Sequence, residues 1–204
     1  MIILHHLNKS RSKRIIWLLE ELGVDYQIIG YQRDSVTFLA PPELKAIHPL
    51  GKSPVLEDDG MVIAESGAIT EYLINKFAAD KLAPSRGTKA YVEYSQWMHF
   101  AESSAILPLL MKMYLQKDGC DTNFLSGYVD NEIGKVISYF NQSLQDKTYL
   151  VGEQLSGADI MMSFIAEILK NNGSLSQFEH IERYEQQLST HTAFLKADEL
   201  EAAN

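Results

Sequence analysis

Residues 9–14, Lys9-Ser10-Arg11-Ser12-Lys13-Arg14, are the densest basic cluster in an otherwise acidic chain, and they carry two hydroxyls. A hydroxyl beside fixed positive charge and a helix start can donate a hydrogen bond to an anion. It can equally cap the helix, because serine is a favoured N-cap, and only one of Ser10 and Ser12 can take that position. A second stretch, residues 46–66 (AIHPLGKSPVLEDDGMVIAES), joins a proline-fixed loop, a tight turn and a helix start. Ser66 is a good N-cap for residues 67–77, where Ile69, Tyr72, Leu73 and Phe77 are spaced for one helical face. Unpaired amides and a positive dipole at such a start favour a carboxylate ligand. A cis bond at Ser53-Pro54 would present the Ser53 backbone to an extended peptide ligand beside it.

Other chemistries find less support. Gly51-Lys52-Ser53 resembles the end of a phosphate-binding loop, but position 46 is alanine where that motif has glycine, and Pro54 would break the helix that must follow. The six histidines, His5, His6, His48, His99, His180 and His191, include no pair at helical metal spacing with a third ligand near, so no metal is expected. Cys120 is alone, which excludes an intrachain disulfide and a CxxC redox pair, and its polar surroundings (117–123) read as those of an incidental thiol.

The elements that must position these residues follow from periodicity. Residues 2–5 are β-prone, and 12–22 (SKRIIWLLEEL) carry Ile15, Ile16, Leu18, Leu19 and Leu22 on a broad apolar stripe closed by Gly23. Residues 25–30 read as a second strand, and a strand–helix–strand order implies a right-handed parallel crossover. Pro54 opens a short strand over 54–56, a place where no ladder donor is needed. Asp59-Gly60 is the dipeptide of a two-residue hairpin, and 61–64 returns as its partner. Residues 1–78 therefore read βαβ then ββα around a four-stranded sheet. Residues 79–87 form a linker without periodicity. From 88 to 204 the pattern is helical: 91–116, which Pro108 kinks, then 123–144, 156–169 and 181–189. Ser156-Gly157-Ala158-Asp159 is a helix cap, with Asp159 structural rather than acidic in function.

The 204 residues carry 18 basic and 27 acidic side chains, a net charge of −9 that argues against nucleic acid as a partner. The first residues are too short in apolar content for a secretory signal, and no run suits a membrane span, so a cytoplasmic location is expected.

Taken together, S-x-x-x-R at Ser10–Arg14, IIWLLEELG at 15–23, HPLGKSPVLEDDG at 48–60 and AESGAI at 64–69 resemble the glutathione transferase family over nearly the whole chain. The resemblance implies a thioredoxin-like N-terminal domain and an all-α C-terminal domain. It implies that Ser53 and cis Pro54 pair with the cysteinyl backbone of glutathione, that Glu65 and Ser66 hold the γ-glutamyl end, and that Lys52 approaches the glycyl carboxylate. Ser10 matches the hydroxyl of serine-type, theta-like members, donating to the sulfur so that thiolate is favoured; Ser12 and Asn8 are possible substitutes. No tyrosine or cysteine occupies the first turn. Trp97, Phe100, Met111, Met113 and Tyr114 lie on the helix that helps line the electrophile pocket in the family, or else are core. The expected protein is a homodimer with glutathione as co-substrate and a small hydrophobic electrophile. A non-catalytic transferase-like binding protein, or a glutathione-dependent peroxidase or isomerase, are the alternatives on the same scaffold.

Overall fold

The computed structural model describes residues 1–78, 81–119 and 122–204. Cys120 and the first two positions of the expected linker lie outside the described residues. Two compact units are formed, Met1–Ala83 with Leu188–Asn204, and Pro84–Gln187.

The first unit begins β1 (Ile2–Leu7), α1 (Ser12–Leu22), β2 (Tyr26–Tyr31), α2 (Glu43–Ile47), β3 (Val55–Asp58), β4 (Met61–Ala64) and α3 (Ser66–Phe77). The sheet order is β2-β1-β3-β4, with β1 parallel to β2 and antiparallel to β3, and β3 antiparallel to β4. Asp59 (φ 49°) and Gly60 (φ 84°) both take the left-handed region that a two-residue hairpin requires. Leu4, Leu56, Ile15, Ile16, Leu18, Leu19, Ile69 and Leu73 are fully buried. Each contributes about 1.5–3 kcal/mol by leaving water. Three positions depart from the sequence reading. Ser66 is not the cap of α3 but its first residue, because the boundary falls at Glu65, held at φ 71° and ψ 118° with no side-chain cap. Phe77 is 41% exposed, and Tyr72 turns its hydroxyl to Asp58 at 2.7 Å instead of entering the core.

The second unit holds α4 (Lys89–Phe100), α5 (Ile106–Asp118), α6 (Leu125–Ser143), α7 (Gly157–Asn171) and most of α8 (Glu179–Leu188). The single long helix expected over 91–116 is divided by a π turn at Ala101–Ala105. Pro108 has no N–H for the Ser104 carbonyl, and Ser103 Oγ donates back to the His99 carbonyl at 2.8 Å, so the regular ladder is interrupted there. Asp159 is fully buried and accepts from the Ser156 and Leu150 amides and from the Tyr184 hydroxyl at 2.8–2.9 Å.

One more helix, α9 (Thr192–Ala203), belongs by its packing to the first unit, whereas the sequence reading ran the helical domain to residue 204 and found no helix after 189. It lies along α1: Phe194 meets the edge of Trp17 at 5.0 Å between ring centres and 83° between planes. Lys13 stands over the Phe194 ring at 4.8 Å and ion-pairs Asp198. At its far end a Cβ on Gly30 would come 3.1 Å from that of Asn204.

Candidate active site

The site is built where three strand ends meet two helix starts. His5 pairs with Val55 across β1 and β3, and Val55 pairs with Ala64 across β3 and β4. Continued by two residues, the β1–β3 register brings Leu7 beside Ser53, while Ser66 follows the end of β4 by two residues. A hydrogen bond agrees with that continuation, because the Leu7 amide donates to Ser53 Oγ at 3.1 Å and Ser53 Oγ donates to the His5 carbonyl at 2.8 Å. The Ser53-Pro54 bond is cis. Ser66, with Glu65 exposed before it, opens α3, and the Glu65 side chain makes no cap bond to the helix amides. Lys52 is exposed on the same loop.

The hydroxyl pair lies at the start of α1. Ser10 and Ser12 are both buried, and Ser12 Oγ touches Ser10 Oγ at 2.7 Å. The helix boundary falls at Arg11 with no side-chain cap from that residue, yet the Ser12 amide donates to Ser10 Oγ at 3.2 Å. Ser10 therefore satisfies a helix amide with a lone pair and keeps its own proton. Ser12 Oγ also contacts His6 Nδ1 at 2.7 Å, accepts from the Leu7 amide at 3.3 Å and has the Leu7 carbonyl as a longer acceptor at 3.3 Å, so the shorter His6 contact is the better place for its proton. That amide thus has both Ser12 and Ser53 within reach. Asn8 Oδ1 accepts from the Arg33 amide at 2.8 Å and ties down the chain after β2.

His5 and His6, consecutive on a strand, face opposite ways. His5 lies between Tyr31 Oη (2.9 Å) and Glu57 Oε1 (2.7 Å), and burial, then Glu57 and Glu43, push the Tyr31 hydroxyl up. His6 faces Ser12 and α9, where its Nε2 stands 3.1 Å from Glu201 Oε2. Burial opposes ionisation of Glu201, but His6, the Lys9 amide at 2.7 Å and Lys13 outweigh it and hold the carboxyl below its ordinary range. Among the described residues no group of three or more His, Cys, Asp or Glu is arranged to hold a metal.

The candidate electrophile residues belong to the helical unit, in two places. Trp97 and Phe100 line a cavity of about 550 Å³ together with Tyr139, on which the buried indole stacks at 5.3 Å. Met111 and Tyr114 line a separate one of about 500 Å³. Met113 is partly exposed and lines neither of these.

Residues 1–75 match the family described as glutathione S-transferase, N-terminal domain, and residues 126–192 match glutathione S-transferase, C-terminal domain. The chain belongs to the glutathione transferase family. It is 37% identical over 179 residues to glutathione S-transferase 3 of Schizosaccharomyces pombe, covering 80% of this chain and 72% of that one. It is 34% identical over 188 residues to glutathione S-transferase 1 of Saccharomyces cerevisiae, covering 80% and 79%. A solved glutathione S-transferase from Actinobacillus pleuropneumoniae, 40% identical, superposes with a TM-score of 0.90 over 99% of this chain and 93% of that one.

The expected architecture, a thioredoxin-like domain followed by helices, is the one this transferase has, and glutathione transfer is its activity. Among the described residues no helix is long and apolar enough to cross a membrane. Sequence reasoning missed His6 and Glu201 as members of the hydroxyl cluster. One signal for His6 was present, since it falls on the buried period of β1 with Ile2 and Leu4, where an imidazole needs a partner. Nothing local marks Glu201, which reaches the cluster from 192 residues beyond Lys9.

Proposed function

We propose that the transferase binds glutathione across the ends of β1, β3 and β4 and activates its thiol through Ser10. The observation that carries this is the state of the Ser10 hydroxyl. It accepts the Ser12 amide, so among the described residues its proton has Ser12 Oγ to go to, and otherwise a ligand atom. A sulfur beside Ser10 would receive that proton as a hydrogen bond, and a charge-assisted bond of this kind favours thiolate over thiol. The charges suit the rest of the ligand. Glu65 offers an acceptor to an ammonium, while the uncapped start of α3 and the ammonium of Lys52 suit carboxylates. Ser53 and Pro54, tied to β1 through the Leu7 amide and His5 carbonyl, supply the edge along which the cysteinyl backbone lies.

The thiolate then attacks an electrophilic carbon, forming the carbon–sulfur bond as the leaving group departs. The electrophile is a small hydrophobic molecule held by side chains of the helical unit, with Trp97, Phe100, Met111 and Tyr114 the candidates. The working form is a cytosolic homodimer, which light scattering after size exclusion would report as twice the 23.0 kDa chain mass. The deciding test is a pH titration of thiolate absorbance for glutathione bound to the wild type and to Ser10→Ala, with conjugation to an aryl halide measured alongside. The wild type is expected to hold thiolate at neutral pH. Ser10→Ala is expected to lose it there and to fall on the order of 10²-fold in rate, the scale of one lost oxyanion donor. An unchanged titration in the variant would remove Ser10 from the role.

A further inference from the structure

The thiol proton has to go somewhere when glutathione becomes a thiolate, and the buried cluster behind Ser10 offers a destination. From outside inward the contacts run Ser10 Oγ to Ser12 Oγ at 2.7 Å, Ser12 Oγ to His6 Nδ1 at 2.7 Å, and His6 Nε2 to Glu201 Oε2 at 3.1 Å. Nε2 and Oε2 are both buried and have no hydrogen-bond partner in good alignment among the described residues; they face one another. Glu201 is brought there by α9, on which Phe194, Asp198 and Glu201 fall at i, i+4 and i+7 and so share one face. Phe194 packs on Trp17, Asp198 pairs with Lys13, and Glu201 Oε1 accepts the Lys9 amide at 2.7 Å.

We propose that His6, paired to Glu201, receives the thiol proton of glutathione through Ser10 and Ser12. This rests on the reading that Ser10 faces the sulfur. The proton count supports it. With a carboxylate at Nε2, that nitrogen carries a hydrogen and a neutral His6 offers Nδ1 as acceptor. Before transfer the thiol donates to Ser10, Ser10 to Ser12, and Ser12 to Nδ1. In the transfer the S–H, Ser10 O–H and Ser12 O–H bonds break, and each proton moves one place inward to form a new bond. Afterwards Nδ1–H donates to Ser12, Ser12 to Ser10 and Ser10 to the thiolate, and the new imidazolium lies against the Glu201 carboxylate. Each of the three contacts between the sulfur and Nδ1 holds one proton in both states. Were the proton to leave for solvent with His6 neutral, Ser10 and Ser12 would face each other at 2.7 Å with no proton between them once Ser10 had turned to the sulfur.

The parts are those of a carboxylate–imidazole–serine hydrolase, but Ser12 is fully buried and cannot meet a substrate carbonyl. A proton path requires no such access. Glu201 is a positioning residue in this scheme, with Lys13 the other side-chain charge that helps keep it ionised.

The experiment counts protons by calorimetry of glutathione binding to the full chain, in buffers of different ionisation heat at mildly alkaline pH, with thiolate absorbance read in parallel. The wild type is expected to form thiolate with no net proton release. Ser12→Ala, nearly isosteric and away from the ligand, is expected to release the proton whenever thiolate forms. Glu201→Gln is expected to raise the pH midpoint of the bound thiol by about one unit or more. Asp198→Asn, which loosens the same face of α9 without touching the path, is expected to give the wild-type proton count, so that loss of α9 docking is told apart from loss of charge. Full proton release by the wild type overturns the proposal, as do Ser12→Ala and Glu201→Gln variants that match the wild type. If those two match while Ser10→Ala loses the thiolate, only the path falls. If bound glutathione stays a thiol in the wild type, the role of Ser10 falls with it.

Discussion

A serine at a helix start is ordinarily either a cap or a reagent, and Ser10 is placed to be both. Its lone pair serves the Ser12 amide, which is structural work, while its proton is placed toward Ser12 Oγ or, as proposed, a ligand sulfur. On the proposed reading, the two roles that local sequence leaves open do not compete in the folded protein. Other site residues separate more cleanly. Lys52 is exposed, and in the proposed complex it meets a carboxylate whose charge is the same with thiol and transition state, so it should contribute to holding glutathione and not to its reaction. Lys52→Ala is expected to raise KM for glutathione a few-fold with kcat unchanged, and the difference from wild type should shrink in high salt. Steady-state kinetics at two ionic strengths check this. A fall in kcat would instead put Lys52 close to the sulfur.

Elements were legible where their signals are local. The α1 stripe, its Gly23 stop and the Asp59-Gly60 hairpin carry their own instructions, and the structure has them at those positions. Helix α9 does not. Its sequence TAFLKADELEAA buries only Phe194 and Ala197, too little apolar surface to announce a helical face. What holds it is assembled in three dimensions, from Trp17, Lys13, the Lys9 amide and the bare backbone of Gly30. Gly30→Val should improve β2 by propensity yet push Asn204 away, a conflict expected to cost about 1–3 kcal/mol. Hydrogen exchange over 192–203 should rise with no change over α7, whereas uniform behaviour across both would mean that α9 does not dock through Gly30. In the helical unit the Ser156/Asp159 pattern was readable as a cap, but its reach was not. Asp159 also accepts from Leu150 and Tyr184, with burial pushing its carboxyl up against those four donated bonds. Asp159→Ala leaves several buried donors unpaired and is expected to cost about 3–5 kcal/mol in urea unfolding, far more than an exposed cap would.

At the scale of the whole molecule, acid stability follows from which carboxyls are held low. Asp58 is the structural case. Its side chain is 2% exposed and joins β3 to the last turns of α3, accepting from the Lys76 ammonium and from Tyr72, and these two, against the opposing effect of burial, keep it below its ordinary value. A carboxyl with a lowered folded pKa binds fewer protons folded than unfolded. Its stabilisation is present above the ordinary carboxylate range and is lost as pH falls through that range toward the folded value. Glu201 has the same sign, so the acid limb should loosen both the β3–α3 junction and the seat of α9. Asp159, pushed up by burial, has the opposite sign and cannot supply that loss. Asp58→Asn keeps the shape and removes the titration. It is expected to melt below the wild type at neutral pH, and the gap should close as pH drops beneath the ordinary carboxylate range, because there the wild type has surrendered the same interaction. Thermal melts followed by circular dichroism across that range measure the gap directly. A gap that stays constant with pH would mean that Asp58 acts through shape and hydrogen bonding alone, and that the acid sensitivity of the transferase resides in other carboxyls.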